Sequence, residues 1–262
     1  MSNYDRSRAY DVQARSRADA FAVDEGLRAY MLRVYNYMGV GLVITALAAY
    51  AVYSMAITTD PALAAARLAN GVMLTAFGKA IYVSWLKWVL AFAPLGVVFL
   101  FSARINTMSV GTAQGVFWLF SALIGASIST ILIVYKQASI AQVFLITAAS
   151  FGTLSLIGYT TKRDLSGMGS FLIMGLVGII IAGVVNIFLH SSGLQFAISC
   201  LAVLIFGGLT AYDTQRLKQD YYGYAGAGGE ALGRSAVMGA LSLYLDFINM
   251  FMALLQLLGN RE

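Results

Sequence analysis

Seven apolar runs, each close to the roughly 17–25 residues that a helix needs to cross a bilayer, succeed one another along the chain. They cover Val34–Ala56, Trp88–Ala103, Thr112–Val134, Ile140–Tyr159, Met168–His190, Leu194–Asp213 and Val237–Leu258. The second is the shortest, and its apolar character reaches back towards Tyr82. Each reads as a transmembrane helix. The fold class expected is therefore all-α integral membrane, a seven-transmembrane-helix bundle over residues 34–262. Residues 1–33 are rich in Arg and Asp and read as a polar cytoplasmic tail, mobile up to about Asp24, without an apolar core of signal-peptide length. The longest links are Ile57–Lys87 and Thr214–Ala236. The latter holds Gly223, Gly226, Gly228 and Gly229 and is expected to be a flexible hairpin.

Composition agrees with a lipid environment. Hydrophobic residues make up 60% of the chain and charged residues 11%, against roughly 25% charged in soluble domains. The net charge of +5 does not point to nucleic acid, because the Arg residues are not interleaved with stacking aromatics on a soluble domain. It fits basic helix flanks. With the N-terminus inside, the inner segments hold twelve of the 17 Lys and Arg, six of them in the tail from Arg6 to Arg33. That bias places the N-terminus in the cytoplasm and, after seven spans, the C-terminus outside. Cys200 is alone, so one chain has no disulfide framework and no Cys-based metal site.

Acids inside hydrocarbon are costly and normally face a bundle interior or a water path. Asp246 lies well inside the seventh run. Ser235, Gly239, Ser242, Asp246, Asn249, Ala253 and Gln256 recur there at steps of three and four, which puts them on one helical face. Hydrogen bonding between helices is the plain alternative, but Asn or Ser would serve for that. Asp213 ends the sixth run, where it either pairs with Arg216 at i+3 or joins Asp246, since both acids fall in the cytoplasmic half. Arg104, at the end of the second run, is on the same side. Two carboxylates sharing one site resist ionising together, and a nearby Arg opposes that. Such a cluster is a natural pH-dependent gate. Ca²⁺ takes about six to eight oxygens, so two acids suit weak, transient occupancy better than storage. Ser242, Asn249 and Asn186 are candidate pathway-lining residues.

Three segments carry a family resemblance: Phe151–Gly169 (FGTLSLIGYTTKRDLSGMG), Ala211–Lys218 (AYDTQRLK) and Ala240–Gly259 (ALSLYLDFINMFMALLQLLG). On these the chain resembles the Bax inhibitor-1/YccA-like family, bacterial branch, from about Tyr30 to the C-terminus. The resemblance implies a multi-pass protein of the bacterial inner (plasma) membrane, with the C-terminal helix central and enclosed by the other six. It implies a pH-sensitive Ca²⁺ leak with Ca²⁺ as permeant ion and no other cofactor. Its di-aspartyl sensor falls on Asp213 and Asp246, and its latch arginine, by position, on Arg104. Some bacterial relatives are associated with the membrane AAA protease FtsH, so the alternative is a non-transporting regulatory protein with that partner.

Enzyme readings fare poorly. Tyr212-Asp213 matches the first motif of an intramembrane aspartyl protease, but Leu243-Tyr244-Leu245-Asp246 stands where Gly-x-Gly-Asp is needed. The last run has no Lys for a retinal Schiff base. His190, the only histidine, reads as a cap at the outer end of helix five rather than a zinc ligand. Ser121, Gly125 and Ser129, and likewise Gly175, Gly178, Ala182 and Asn186, read as small-residue packing ridges. Tyr82, Trp85 and Trp88 read as an interfacial belt.

Overall fold

With only two prolines, little interrupts the helices, and the computed structural model is dominated by them. It describes residues 3–68, 71–224 and 228–261, with side chains from Asp24 onward. The helices are α1 (Asn3–Ala56), α2 (Ala76–Tyr82), α3 (Leu86–Arg104), α4 (Val110–Ile128), α5 (Ile131–Val134), α6 (Gln137–Thr160), α7 (Ser166–Leu189), α8 (Ser192–Tyr224) and α9 (Gly229–Leu258). Among the described residues, seven spans are long and apolar enough to cross a membrane, with α4 and α5 forming one of them. Many large apolar side chains point outwards, such as Phe99, Phe171 and Phe188. A belt of that extent belongs against lipid rather than water.

Two span boundaries differ from the apolar runs. The buried face of α1 starts before Val34, at Leu27, Tyr30 and Met31, and the Tyr30 hydroxyl bonds to Ser235 Oγ of α9 at 2.9 Å. The side chains of the expected mobile stretch before Asp24 lie outside the described residues. At the other boundary, α8 does not stop at Asp213 but continues for three turns to Tyr224. Leu217 and Tyr221, one turn apart, are both buried, so the packed face of α8 carries on beyond the apolar run. The expected Thr214–Ala236 hairpin is thus mostly helix. Its Gly226 lies outside the described residues, and Gly228 turns the chain into α9 with φ 92°, a conformation that glycine adopts without strain.

The link after α1 is also more ordered than an apolar count suggests. Three two-residue strands, β1 (Ile57–Thr58), β2 (Ala66–Arg67) and β3 (Met73–Leu74), form an antiparallel sheet in the order β1-β3-β2. A 3₁₀ turn at Pro61–Leu63 is capped by the Asp60 carboxylate, which accepts from Ala62 N. Thr75 caps α2 in the same way through Gly78 N.

The C-terminal helix is the most buried span. It packs against α8, α1, α6 and α4. It is not ringed evenly by all six others: α3 rests mainly on α4, and α7 mainly on α8. Tyr244 of α9 is fully buried, edge-on to Phe117 and Phe120 of α4. Its hydroxyl bonds to Thr45 Oγ1 of α1 at 2.6 Å. Small residues set the closest crossings, as expected where helices associate by packing rather than by the hydrophobic effect. A Cβ on Gly125 would lie 2.3 Å from the Thr45 carbonyl oxygen, and one on Gly158 would lie 2.2 Å from that of Ala211. The ridge on α7 is used only in part. Gly175 meets Ile205 of α8, but a Cβ on Gly178 would meet nothing within 4 Å.

Candidate functional site

The antiparallel α8–α9 contact sets the register of the acids. Gly239 lies against Leu217 so closely that a Cβ there would sit 2.2 Å from Leu217 Cδ2. One residue back along α8, Arg216 Nη2 donates to Ser242 Oγ of α9 at 3.4 Å. One turn deeper on both helices come Asp213 and Asp246. Each is buried, with 8% and 5% exposure, and the two interact electrostatically with one another and with Arg216. Asp213 Oδ1 pairs with Arg216 Nη1 at 3.4 Å. Asp246 Oδ2 is buried with no hydrogen-bond partner among the described residues. An unsatisfied carboxylate oxygen in a protein interior is expensive, so its retention calls for a reason other than packing.

Asp213 thus pairs with Arg216 and lies within electrostatic reach of Asp246. Arg104 lies apart from the acids. Arg104 is exposed at the end of α3, and the guanidinium that meets the acids is Arg216. A cation at i+3 on the same helix is held beside the carboxylate by local geometry, whereas Arg104 would have to reach in from another element.

Each residue of the AYDTQRLK segment has a task here. The Tyr212 ring lies against Gly169 of α7, where a Cβ would be 2.4 Å from Cε2, and under Arg216 at 5.9 Å. Thr214 Oγ1 shares a hydrogen bond with Ser155 Oγ at 3.0 Å, and Ser155 in turn with the Tyr35 hydroxyl at 2.6 Å. That relay ties α1, α6 and α8 together beside Asp213. Gln215 anchors the α6–α7 loop, accepting from Leu165 N and donating to the Arg163 carbonyl, both at 2.8 Å. Lys218 Nζ donates to the Tyr159 carbonyl at 3.3 Å. Sequence reasoning missed Ser155, Tyr35 and Thr214, because hydroxyls on apolar helices are common and only the crossing brings these three together.

Polar cavities lie at both ends of the α9 stripe. At the end nearer the α8–α9 turn, a cavity of about 400 Å³ is lined by Arg216, Asp220, Arg234, Ser235, Ser242 and Asn106, among others. Asp220, one turn beyond Arg216, adds a third acid that acts on the same guanidinium. At the opposite end, a cavity of about 620 Å³ holds Asn186, His190, Gln195, Ser199 and Gln256. There Gln256 Oε1 accepts from Gln195 Nε2 at 2.6 Å and from Ser199 Oγ at 2.7 Å. Asn186 Nδ2 donates to Gln195 Oε1 at 3.1 Å. Asn186 thus lines this cavity. Asn249 instead donates to the Leu245 carbonyl of its own helix at 2.8 Å. His190 is the C-cap of α7, with φ 50°.

Comparison with known proteins agrees with this architecture. Residues 27–262 match the model of the family described as inhibitor of apoptosis-promoting Bax1. The chain belongs to this family. Its Bax inhibitor relatives include the inner membrane protein YbhL of Escherichia coli K12, 44% identical over 90% of this chain and 94% of that one. A protein of Rickettsia prowazekii is 44% identical over 91% of this chain and 92% of its own length. A protein of Caulobacter vibrioides is 43% identical over the full length of both. The name of the Escherichia coli relative and the seven apolar spans together support a multi-pass protein of the inner membrane.

Proposed function

We propose that this Bax inhibitor family member is a cation pathway, leaking Ca²⁺ slowly across the inner membrane, and that protonation of the Asp213–Asp246 pair governs the leak. The observation that carries the reading is a buried acid pair on a polar stripe with a polar cavity at each end. A stripe built only for helix association would not need an unsatisfied Asp246 oxygen at its middle. The N-terminus and the α8–α9 turn are assigned to the cytoplasm by the distribution of Lys and Arg.

The chemistry follows from the donor set. Ionised, the pair offers up to four oxygens to a hard cation, short of the about six to eight that Ca²⁺ prefers, so occupancy is brief. Protonated, it offers little charge. From the cytoplasmic cavity an ion passes Asp220 and meets Arg216, which both repels cations and holds Asp213. Between Ser242 in that cavity and Gln256 in the opposite one lie about 21 Å of helix rise. Asp246 and Ala253 are buried within that stretch, so this arrangement is the closed one.

The test is Ca²⁺ entry into liposomes carrying the full chain, read by an internal dye across a range of pH. Wild type should show a pH-dependent leak, and Asp213→Asn and Asp246→Asn should each flatten the profile. If all three leak identically at every pH, the pair does not govern a pathway, and the regulatory role with a membrane protease partner takes precedence.

A further inference from the structure

The seam between α1 and α6 opens a groove that the ion-pathway reading does not use. It has a volume of about 500 Å³ and is lined from α1 by Arg28, Met31, Leu32 and Tyr35, and from α6 by residues that include Gly152 and Leu156. Its walls are apolar apart from hydroxyls and one charge. The Tyr35–Ser155 hydrogen bond at 2.6 Å bridges the two walls. Met31 is buried against the bundle, whereas Leu32 and Leu156 are exposed. From Arg28 to Tyr35 the groove runs about 10 Å along the helix.

The single charged residue among those lining it is Arg28, exposed and free of any ion pair among the described residues. A second cation, Lys218 of α8, contacts a residue of the opposite wall without itself lining the groove. Lys218 Nζ lies 3.3 Å from the Tyr159 carbonyl oxygen and 5.6 Å from the centroid of the Tyr159 ring, and Tyr159 lines the groove. Asp24 and Glu25 lie one turn before Arg28, further from the apolar part. An apolar slot with cations at one mouth complements a molecule with a hydrocarbon chain and an anionic head. Long basic side chains near the end of a membrane-spanning stretch, as Arg28 is in Asp24–Ala56, reach the headgroup level while their stems stay in the apolar region.

We propose that this groove binds one acyl chain of an anionic phospholipid from the leaflet on the α8–α9 turn side, with Arg28 and Lys218 receiving the headgroup phosphate. Gly152 lines the groove from an exposed position, and an added Cβ there would meet nothing within 4 Å. The absence of a side chain there keeps the slot open without being required by the helix crossing. That distinguishes Gly152 from Gly158 on the same helix, which is held against the α8 backbone.

Native mass spectrometry of the full chain, released from detergent with dioleoylphosphatidylglycerol or dioleoylphosphatidylcholine, tests this. Wild type should retain one phosphatidylglycerol in preference to phosphatidylcholine. Arg28→Gln should reduce that preference about fivefold, the equivalent of the ~1 kcal/mol that one basic residue contributes near an anionic surface. Gly152→Leu fills the slot and should abolish retention of both lipids while its lipid-free melting temperature does not fall. Leu156→Trp, which fills the slot from an exposed position, should do the same and serves if Gly152→Leu does not purify. Equal retention of the two lipids by wild type overturns the proposal, as does wild-type retention in both slot-filling variants.

Discussion

Gly158→Ala on α6 should loosen the scaffold of the acid site by an amount that the crossing geometry sets. The added methyl carbon would lie 2.2 Å from the Ala211 carbonyl oxygen and 2.9 Å from Ala211 Cα. Both are backbone atoms, so no side chain can turn aside, and α6 and α8 must separate by about 1 Å to reach a tolerable contact. Ser155 lies three residues before Gly158, and its partner Thr214 lies three after Ala211. Their hydrogen bond, 3.0 Å long, would stretch past the range in which hydroxyls bond. Overpacking costs about 1–3 kcal/mol and the lost bond about 1 kcal/mol. The better helix propensity of Ala returns at most about 1 kcal/mol, which leaves a net loss of about 1–3 kcal/mol. The assay is thermal unfolding of the purified chain in detergent, with Gly152→Ala as control. That position lies six residues earlier on the same helix and is open to an added Cβ, so its variant should melt at or slightly above wild type. Equal melting temperatures for the two variants would refute the close crossing.

Three further outcomes are expected. Tyr244→Phe removes the buried hydroxyl bonded to Thr45 at 2.6 Å and should destabilise the chain by about 1–2 kcal/mol, read by the same melt. Arg216→Gln should move the pH midpoint of liposome flux, whereas Arg104→Gln, exposed and outside the acid cluster, should leave it in place; the opposite pattern would restore Arg104 as the latch. The Asp164 carboxyl, in the α6–α7 loop, titrates below the usual carboxylate range because the Ser166 hydroxyl and backbone N–H both donate to it. A depressed folded value means that this turn contributes stability above the ordinary carboxylate pKa of about 3.9 and loses it as pH falls through the folded value. Carbon-detected NMR titration of the loop checks the direction, and Ser166→Ala should bring Asp164 back towards its ordinary value.

What was legible in the sequence was whatever repeats locally. The seven spans and the α9 stripe follow from periodicity, and Asp246 stands out because a carboxylate in an apolar run is costly. The Asp213–Arg216 pair was legible too, since i+3 spacing places both groups on one face. The position of Arg104 was not legible, because a contact with the acids would be a tertiary one that no spacing encodes. The extension of α8 was hidden for a different reason. Apolar content marks where a helix leaves the hydrocarbon, not where it stops, and Leu217 and Tyr221 carry the packed face on among charged neighbours. The uneven packing around α9, with α3 mainly on α4 and α7 mainly on α8, was likewise not readable. Gly178 on α7 looks like a packing residue in the sequence, yet its side of the helix faces open space.

Asp213 and Arg216 ride on the same helix, one turn apart. Rigid tilting or sliding of α8 against α9 therefore carries the ion pair along intact. Such a motion does strain the hydrogen bonds between the two helices: the 3.4 Å one from Arg216 to Ser242 beside the acids, and those from Gln195 and Ser199 to Gln256 at the far end. A clasp with its arginine on a third element would need a whole charge pair to be torn apart at each opening. Beside the acids, the α8–α9 link is a single long hydrogen bond, worth about 1–3 kcal/mol for a charged donor. In the proposed pH-governed leak, that is of the same order as a change of one proton on the neighbouring acids, about 1.4 kcal/mol per pKa unit of differential interaction.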